Sequence, residues 1–207
     1  MSPRAKTTPA PGLSRARVCQ EALALVDAEG PEALSMRRLG ARLGVEAMSL
    51  YRHVRDKADL IDALHAAVLG DLVPEAEAPP PPARDKRAAG KGADEAWRAL
   101  LGGLCRALRS ALLRHPKVVP LFMTAPMRAP EAWATVDQVR AALTDAGFSA
   151  ETAEQAIHVI GMFTIGHVLF EARAGIRKND TFRFGLESLL DGIAAQRPPR
   201  TRGASHA

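Results

Sequence analysis

Six cations, Arg37, Arg38, Arg42, Arg52, Arg55 and Lys57, lie between Ser35 and Lys57 against two carboxylates, Glu46 and Asp56, a local net charge of +4. Ser49, Tyr51 and His53 add hydroxyl and imidazole groups to the same stretch. The chemistry open to such a set is recognition of a polyanion. Guanidinium groups pair with phosphates, and an arginine can take both acceptors on the major-groove edge of a guanine. The whole chain of 207 residues carries a net charge of +5, so this one stretch holds most of the excess. A charged run is commonly just a solvated face, and the elements that carry it decide between the two readings.

Aliphatic residues run in register with the charge. Ser35 is placed to cap a short helix that ends near Leu43, Gly44 supplies a turn, and a further helix is predicted over 46–54. On a helical wheel, Leu50 and Val54 coincide and face inward with Leu39, Leu43 and Val45. Met48 and Arg52 then point the opposite way, Ser49 and Tyr51 flank them, and Ala47 turns toward the core side. Two braced helices, apolar within and basic without, form the pattern of a helix-turn-helix that reads double-stranded DNA. Arg52 is the candidate for a guanine or a phosphate, Met48 for a thymine methyl, and Tyr51, His53 and Arg37 for phosphates. Lys57 starts a following helix, whose N-terminus also favours a phosphate. Before this pair, Ser14 caps a helix with Val18, Ala22, Leu25 and Val26 on one face, ended by Gly30-Pro31. After it, Asp56 opens a helix carrying Leu60, Ile61, Leu64, Val68 and Leu69.

The remaining chain reads as helix too. Apolar residues make up 47% and aromatics 4%, and Ala and Leu dominate, which favours helix over strand. The expected fold class is all-α: an N-terminal three-helix helix-turn-helix domain plus a second helical domain. Residues 1–12 read as a disordered arm, 13–73 as the helix-turn-helix domain with its connecting helix, and 74–92, with four consecutive prolines, as a linker. Residues 93–196 form the second domain, with helices expected over about 94–115, 130–146, 150–174 and 181–196, and 197–207 is a basic disordered tail. Three prolines break the apolar segment 116–128. Cys19 and Cys105 are isolated, without metal-ligand spacing, and read as small core residues in a reducing, cytoplasmic setting. The N-terminus lacks the apolar region of a signal peptide, and no apolar run approaches the ~20 residues that span a membrane, so no membrane partner is expected.

The run LSMRRLGARLGVEAMSLYRHVRDKADLIDAL resembles the DNA-binding domain of the tetracycline-repressor (TetR/AcrR) family of transcriptional regulators, a likeness that covers residues 14–72. The signature is a small polar residue before a basic pair, then L-[AG]-x-x-L-G-V, S/T-L-Y-x-H-V-x-x-K and an aliphatic helix. The proline-broken segment 116–130, the Ala-Gly-Phe at 146–148 and a helix with Gly161 and Gly166 resemble the C-terminal domain of the tetracycline-repressor subgroup. The resemblance implies a homodimer on a palindromic operator, with DNA contacts from Met36, Arg37, Ala47, Met48, Ser49, Tyr51, Arg52, His53 and Lys57. It also implies release by a small-molecule effector held in an apolar pocket. Candidate pocket residues are Trp97, Leu101, Cys105, Phe122, Met123, Trp133, His158, Met162 and His167, and candidate dimer contacts are Phe163, Val168, Phe170, Phe184, Leu189 and Ile193. Gly161 and Gly166 are expected to permit close helix approach. The sequence departs from the subgroup where its ligand is concerned. Val73 stands where tetracycline-binding repressors carry a histidine, and their magnesium-chelating histidine and glutamate are not located here, so neither a metal nor a cofactor is assigned. A repressor is the leading expectation. An activator or dual regulator, or a DNA-binding dimer without a pocket, are the alternatives. No paired carboxylates, nucleophile elbow or phosphate loop points to an enzyme.

Overall fold

The computed structural model describes residues 12–70, 86–124 and 133–198, and every regular element among them is helical. The expected arm up to residue 11, the linker over 74–85, the helix start at Pro130 and the tail beyond 198 lie outside the described residues. Four helices build the head. Helix α1 (Arg15–Glu29) starts where the Ser14 side chain accepts from the Arg17 N–H, and a 3-10 turn (Pro31–Ala33) follows it. Helix α2 (Met36–Leu43) starts in the same way, with Ser35 accepting from the Arg38 N–H, and stops at Gly44, whose φ of 70° is left-handed. Helix α3 covers only Ala47–Leu50. Helix α4 (Lys57–Gly70) begins where Asp56 Oδ1 accepts from the Asp59 N–H at 2.8 Å, and it packs on α1.

Val18, Leu25, Val26, Leu39, Leu50, Val54, Leu60 and Leu64 make the buried centre of this head, as the helical spacing predicts. The recognition helix is shorter than the expected 46–54. Its last turn is continued by His53 and Val54 N–H groups donating to the Leu50 carbonyl. The His53 carbonyl is withdrawn from the helical ladder by the Arg15 guanidinium, 2.9 Å away, and the chain turns into α4.

The second part is built on two long helices. Helix α5 (Lys86–Arg114) packs against α7 (Ala134–Asp145) and α8 (Ala150–Ala174), with α6 (Val119–Thr124) and α9 (Asn179–Ala195) on the flanks of α8. Residues 86–92, expected within the linker, are the first turns of α5. The helix runs through Gly90 and Gly92 even though a glycine inside a helix costs roughly 1 kcal/mol relative to alanine. Ser149 caps α8, accepting from the Thr152 N–H at 3.1 Å, and Gly175 ends it with φ of 65°.

Helix α8 also corrects the membrane reading. Its 25 residues include an 18-residue window of mean hydropathy 1.2, long and apolar enough to cross a membrane by composition alone. Here it packs on α5, α6, α7 and α9 and buries Ala153, Ala156, Ile160, Thr164, Ile165, Val168 and Glu171.

Close helix approach within the chain is made at another glycine, and Gly161 and Gly166 are left open on α8. A Cβ at either would meet no atom within 4 Å, whereas a Cβ at Gly185 of α9 would lie 2.7 Å from the Phe163 ring of α8.

Candidate nucleic-acid interface and helical cavity

The head divides its cations between two tasks. Arg38 pairs with Glu29, and Arg42 with Glu21 and Glu29, so both are tied back to α1. Arg15 grips Asp59 with two hydrogen bonds of 2.9 and 2.8 Å, and the Arg55 N–H donates to the same carboxylate at 2.8 Å. The hydrogen bonds from Arg15 hold the Asp59 carboxyl far below the usual carboxylate range, against the opposing effect of burial. This clamp fixes the corner between α3 and α4, where Tyr51, Arg52 and His53 sit. Arg37, Arg52 and Lys57 are exposed and pair with no carboxylate among the described residues.

Met48 is 73% exposed and Tyr51 45%, the prominent apolar groups on this surface. An exposed thioether and phenol on a head that also exposes Arg37, Arg52 and Lys57 is what a groove-facing helix needs, because the cations attract phosphates and the apolar tip meets bases. Ser49 and His53 are half-buried beside them.

Met36 and Ala47 complete the nine expected contact residues. Met36 is half-buried against the core, which leaves its side chain little to offer a phosphate. Ala47 is half-buried, and its backbone lies 3.2–3.3 Å from where a Cβ on Gly40 would stand, with the Val45 carbonyl oxygen at 2.8 Å. Gly40, quoted within the signature but given no packing role there, is thus what lets α2 and α3 approach. Its signal was a glycine inside a helical pattern.

In the second part, a cavity of about 200 Å³ is lined by Leu69, Leu104, Cys105, Leu108, Phe122, Trp133, Val136, Ile157, His158, Ile160, Gly161, Met162 and Ile165. Of the expected pocket residues, Cys105, Phe122, Trp133, His158 and Met162 come together on its wall. Four do not. Trp97 and Leu101 are fully buried, and Trp97 packs edge-on to Phe148 with ring centroids 5.1 Å apart. Met123 is 52% exposed, away from the wall. His167 leans on Glu171, with Nε2 3.6 Å from its carboxylate, and on the rings of Phe163 and Phe182.

Thr164 donates its one hydroxyl proton to the Ile160 carbonyl at 2.7 Å, so the 3.0 Å contact between Cys105 and Thr164 has the thiol as donor. Burial pushes the Cys105 thiol up to about 11. Behind the wall, Phe122 packs on His65 of α4 with ring centroids 4.3 Å apart. His65 is fully buried, neither ring nitrogen makes a hydrogen bond of normal geometry, and burial lowers its pKa. A second tie between body and head joins His115 Nδ1 to Asp27 at 2.7 Å and Lys117 to the Ala28 carbonyl at 2.6 Å.

The expected dimer contacts also divide. Val168 and Ile193 belong to the chain's own core, and Phe163 stacks on Phe182 at 5.4 Å. Leu189 is partly buried, while Phe170 and Phe184 stand 57% and 75% exposed.

A helical head with an exposed basic recognition surface, joined to a helical body with an apolar cavity, defines a DNA-binding regulator of the helix-turn-helix class. The sequence matches that architecture in both halves. Residues 19–64 match the bacterial regulatory proteins of the tetR family, and residues 90–179 match the tetracyclin repressor-like C-terminal domain. The chain is 31% identical over 208 residues to the tetracycline repressor protein class E of Escherichia coli, covering 89% of this chain and 92% of that one. It is 32% identical over 170 residues to an HTH-type transcriptional regulator of Saccharopolyspora erythraea, covering 82% of this chain and 66% of that relative. Several curated relatives are likewise matched over about two thirds of their length. Among solved structures, BioQ of Mycobacterium smegmatis superposes with a TM-score of 0.72 at 28% identity, covering 89% of this chain and 99% of that one. BioQ has also been seen with its double-stranded DNA operator. The chain belongs to the TetR family of bacterial transcriptional regulators.

Proposed function

We propose that this protein is a ligand-responsive transcriptional repressor that binds a palindromic operator as a homodimer and lets go when a small molecule enters the cavity of its second domain. The observation that carries this reading is the set of exposed side chains on the head, Arg37, Met48, Arg52 and Lys57, whose cations pair with no carboxylate among the described residues. The contact of the cavity residue Phe122 with His65 on α4 supports a link between cavity and head. Exposed Phe170 and Phe184 support an isologous contact through α8 and α9. The protein acts by binding rather than by catalysis, in the cytoplasm.

The test uses fluorescence anisotropy with duplex DNA from the region flanking the protein's own coding sequence. Arg52→Ala and Tyr51→Ala are each expected to weaken binding about tenfold, the order of one good base or phosphate contact, with the melting temperature unchanged. Affinity should fall steeply with salt as phosphate contacts release counterions. Undiminished affinity in both variants would overturn the placement of the recognition surface.

A further inference from the structure

We propose that the cavity takes an uncharged, largely apolar ring compound of one or two rings, with a single hydrogen-bonding group turned to His158, and that it does so without a metal ion. This names the ligand class for the effector site and rests on that reading of the cavity.

Ten of the thirteen lining residues present only aliphatic, phenyl, thioether or glycine surface, and no lining residue is a carboxylate, lysine or arginine among the described residues. An ion placed against such a wall would lose its hydration without gaining a partner. Of the three polar side chains, Cys105 spends its proton on Thr164, and its high thiol pKa keeps it protonated and non-nucleophilic. That leaves the Trp133 indole N–H and the His158 imidazole, both on partly exposed residues. His158 can donate or accept, so it suits a hydroxyl or carbonyl at one end of the ligand.

Size points the same way. An apolar cavity of about 150 Å³ stays dry and holds benzene, and this one is about 200 Å³. Among the described residues a metal chelate would find one histidine and no carboxylate on the wall, too few ligands to anchor a hard cation. The chemistry of this wall therefore parts from a tetracycline–magnesium complex even though the chain belongs to the family.

The experiment titrates the full-length protein by calorimetry and thermal shift with 2-naphthol, naphthalene, 2-naphthoate, and tetracycline with and without magnesium chloride. The expected result is a rise in melting temperature with 2-naphthol, weaker binding of naphthalene, at least 100-fold weaker binding of 2-naphthoate, and no magnesium-dependent binding of tetracycline. Gly161→Leu fills space, since a Cβ there meets nothing within 4 Å. It is expected to cut 2-naphthol affinity at least tenfold while keeping or raising the melting temperature. His158→Leu should make 2-naphthol and naphthalene bind alike.

Equal or tighter binding of 2-naphthoate, magnesium-dependent binding of tetracycline, or no response to either neutral probe overturns the ligand class. Binding of ligand-free protein to its flanking DNA is measured alongside. If DNA is held but the neutral probes fail, the ligand class is wrong and the DNA-reading function stands. If the neutral probes bind but DNA does not, the reverse holds.

Discussion

The head and the body of this protein are each secured by an arginine clasping a carboxylate, and the two clasps differ in how far they are removed from water. In the head, Asp59 is 9% exposed and Arg15 50%. In the body, Glu171 is 1% exposed and Arg109 14%, and Arg109 also donates to Asn179 and lies over the Phe182 ring. A clasp with one end in water can open cheaply. A clasp whose carboxylate is buried and whose guanidinium is mostly covered cannot, because breaking it strands a charge. The head is thus fastened at a corner that stays near solvent, where DNA must be met. The body is fastened by a buried polar knot that ties α5, α8 and the start of α9 into one unit.

The largest consequence of that difference is expected at Glu171. Burial raises its carboxyl, but hydrogen bonds from Arg109 and the Lys178 N–H, with the charges of Arg109 and His167, outweigh this and hold it below the ordinary value. Glu171→Ala takes away the carboxylate of the Arg109 guanidinium, leaving only Asn179 and the Phe182 ring, and should cost about 3–5 kcal/mol, read as a shifted midpoint in urea. A cost below about 1 kcal/mol would mean that Arg109 reaches water by another path, and the contrast between the two clasps would fail.

At Asp59 the effect should be smaller, because a freed Arg15 is already half in water. Asp59→Asn is expected to cost about 2 kcal/mol, the range for hydrogen bonds to a charged group, discounted from a buried pair for screening. The sign with pH follows from the depressed carboxyl. Its stabilisation is fully present above the unfolded carboxylate range near pH 4 and is lost as pH falls through the lower folded value. The stability gap between wild type and Asp59→Asn should be constant above about pH 5 and shrink below about pH 4. A gap that stayed constant down to pH 3 would show that the ion pair is not what Asp59 contributes.

The same contrast explains what could be read from the sequence. The head works through exposed side chains against a small aliphatic core, so spacing separated the two: Leu39, Leu50 and Val54 are buried and Met48 and Arg52 exposed, as the wheel required. The caps at Ser14 and Ser35 and the turn at Gly44 are local chemistry and were legible too. In the body, a residue that lines a cavity and one that fills a core have the same type and periodicity. Trp97 and Leu101 share a helix face with Cys105, yet only Cys105 reaches the cavity. Val168 and Phe170 are both apolar on α8, and only the second is exposed. The clasps were invisible for another reason: Arg15 and Asp59 are 44 residues apart and Arg109 and Glu171 are 62 apart, and nothing local marks either pair.

The finest test of the comparison lies within the head, between two arginines one and a half turns apart on α2. Arg42 is held by Glu21 and Glu29 of α1, and Arg37 is exposed with no carboxylate partner among the described residues. Their equal formal charge would make them equivalent if the basic stretch acted as a diffuse field. If the carboxylates of α1 set Arg42 aside for structure, only Arg37 is available to displace a counterion. Arg37→Ala should then reduce the slope of log affinity against log salt by about 0.9, one phosphate contact. Arg42→Ala should leave that slope unchanged and cost at most about 1 kcal/mol of stability, as exposed ion pairs do. Equal losses of slope in the two variants would mean that Arg42 releases its glutamates on binding DNA. The partition of cations between fastening the head and reading DNA would then belong to the free protein alone.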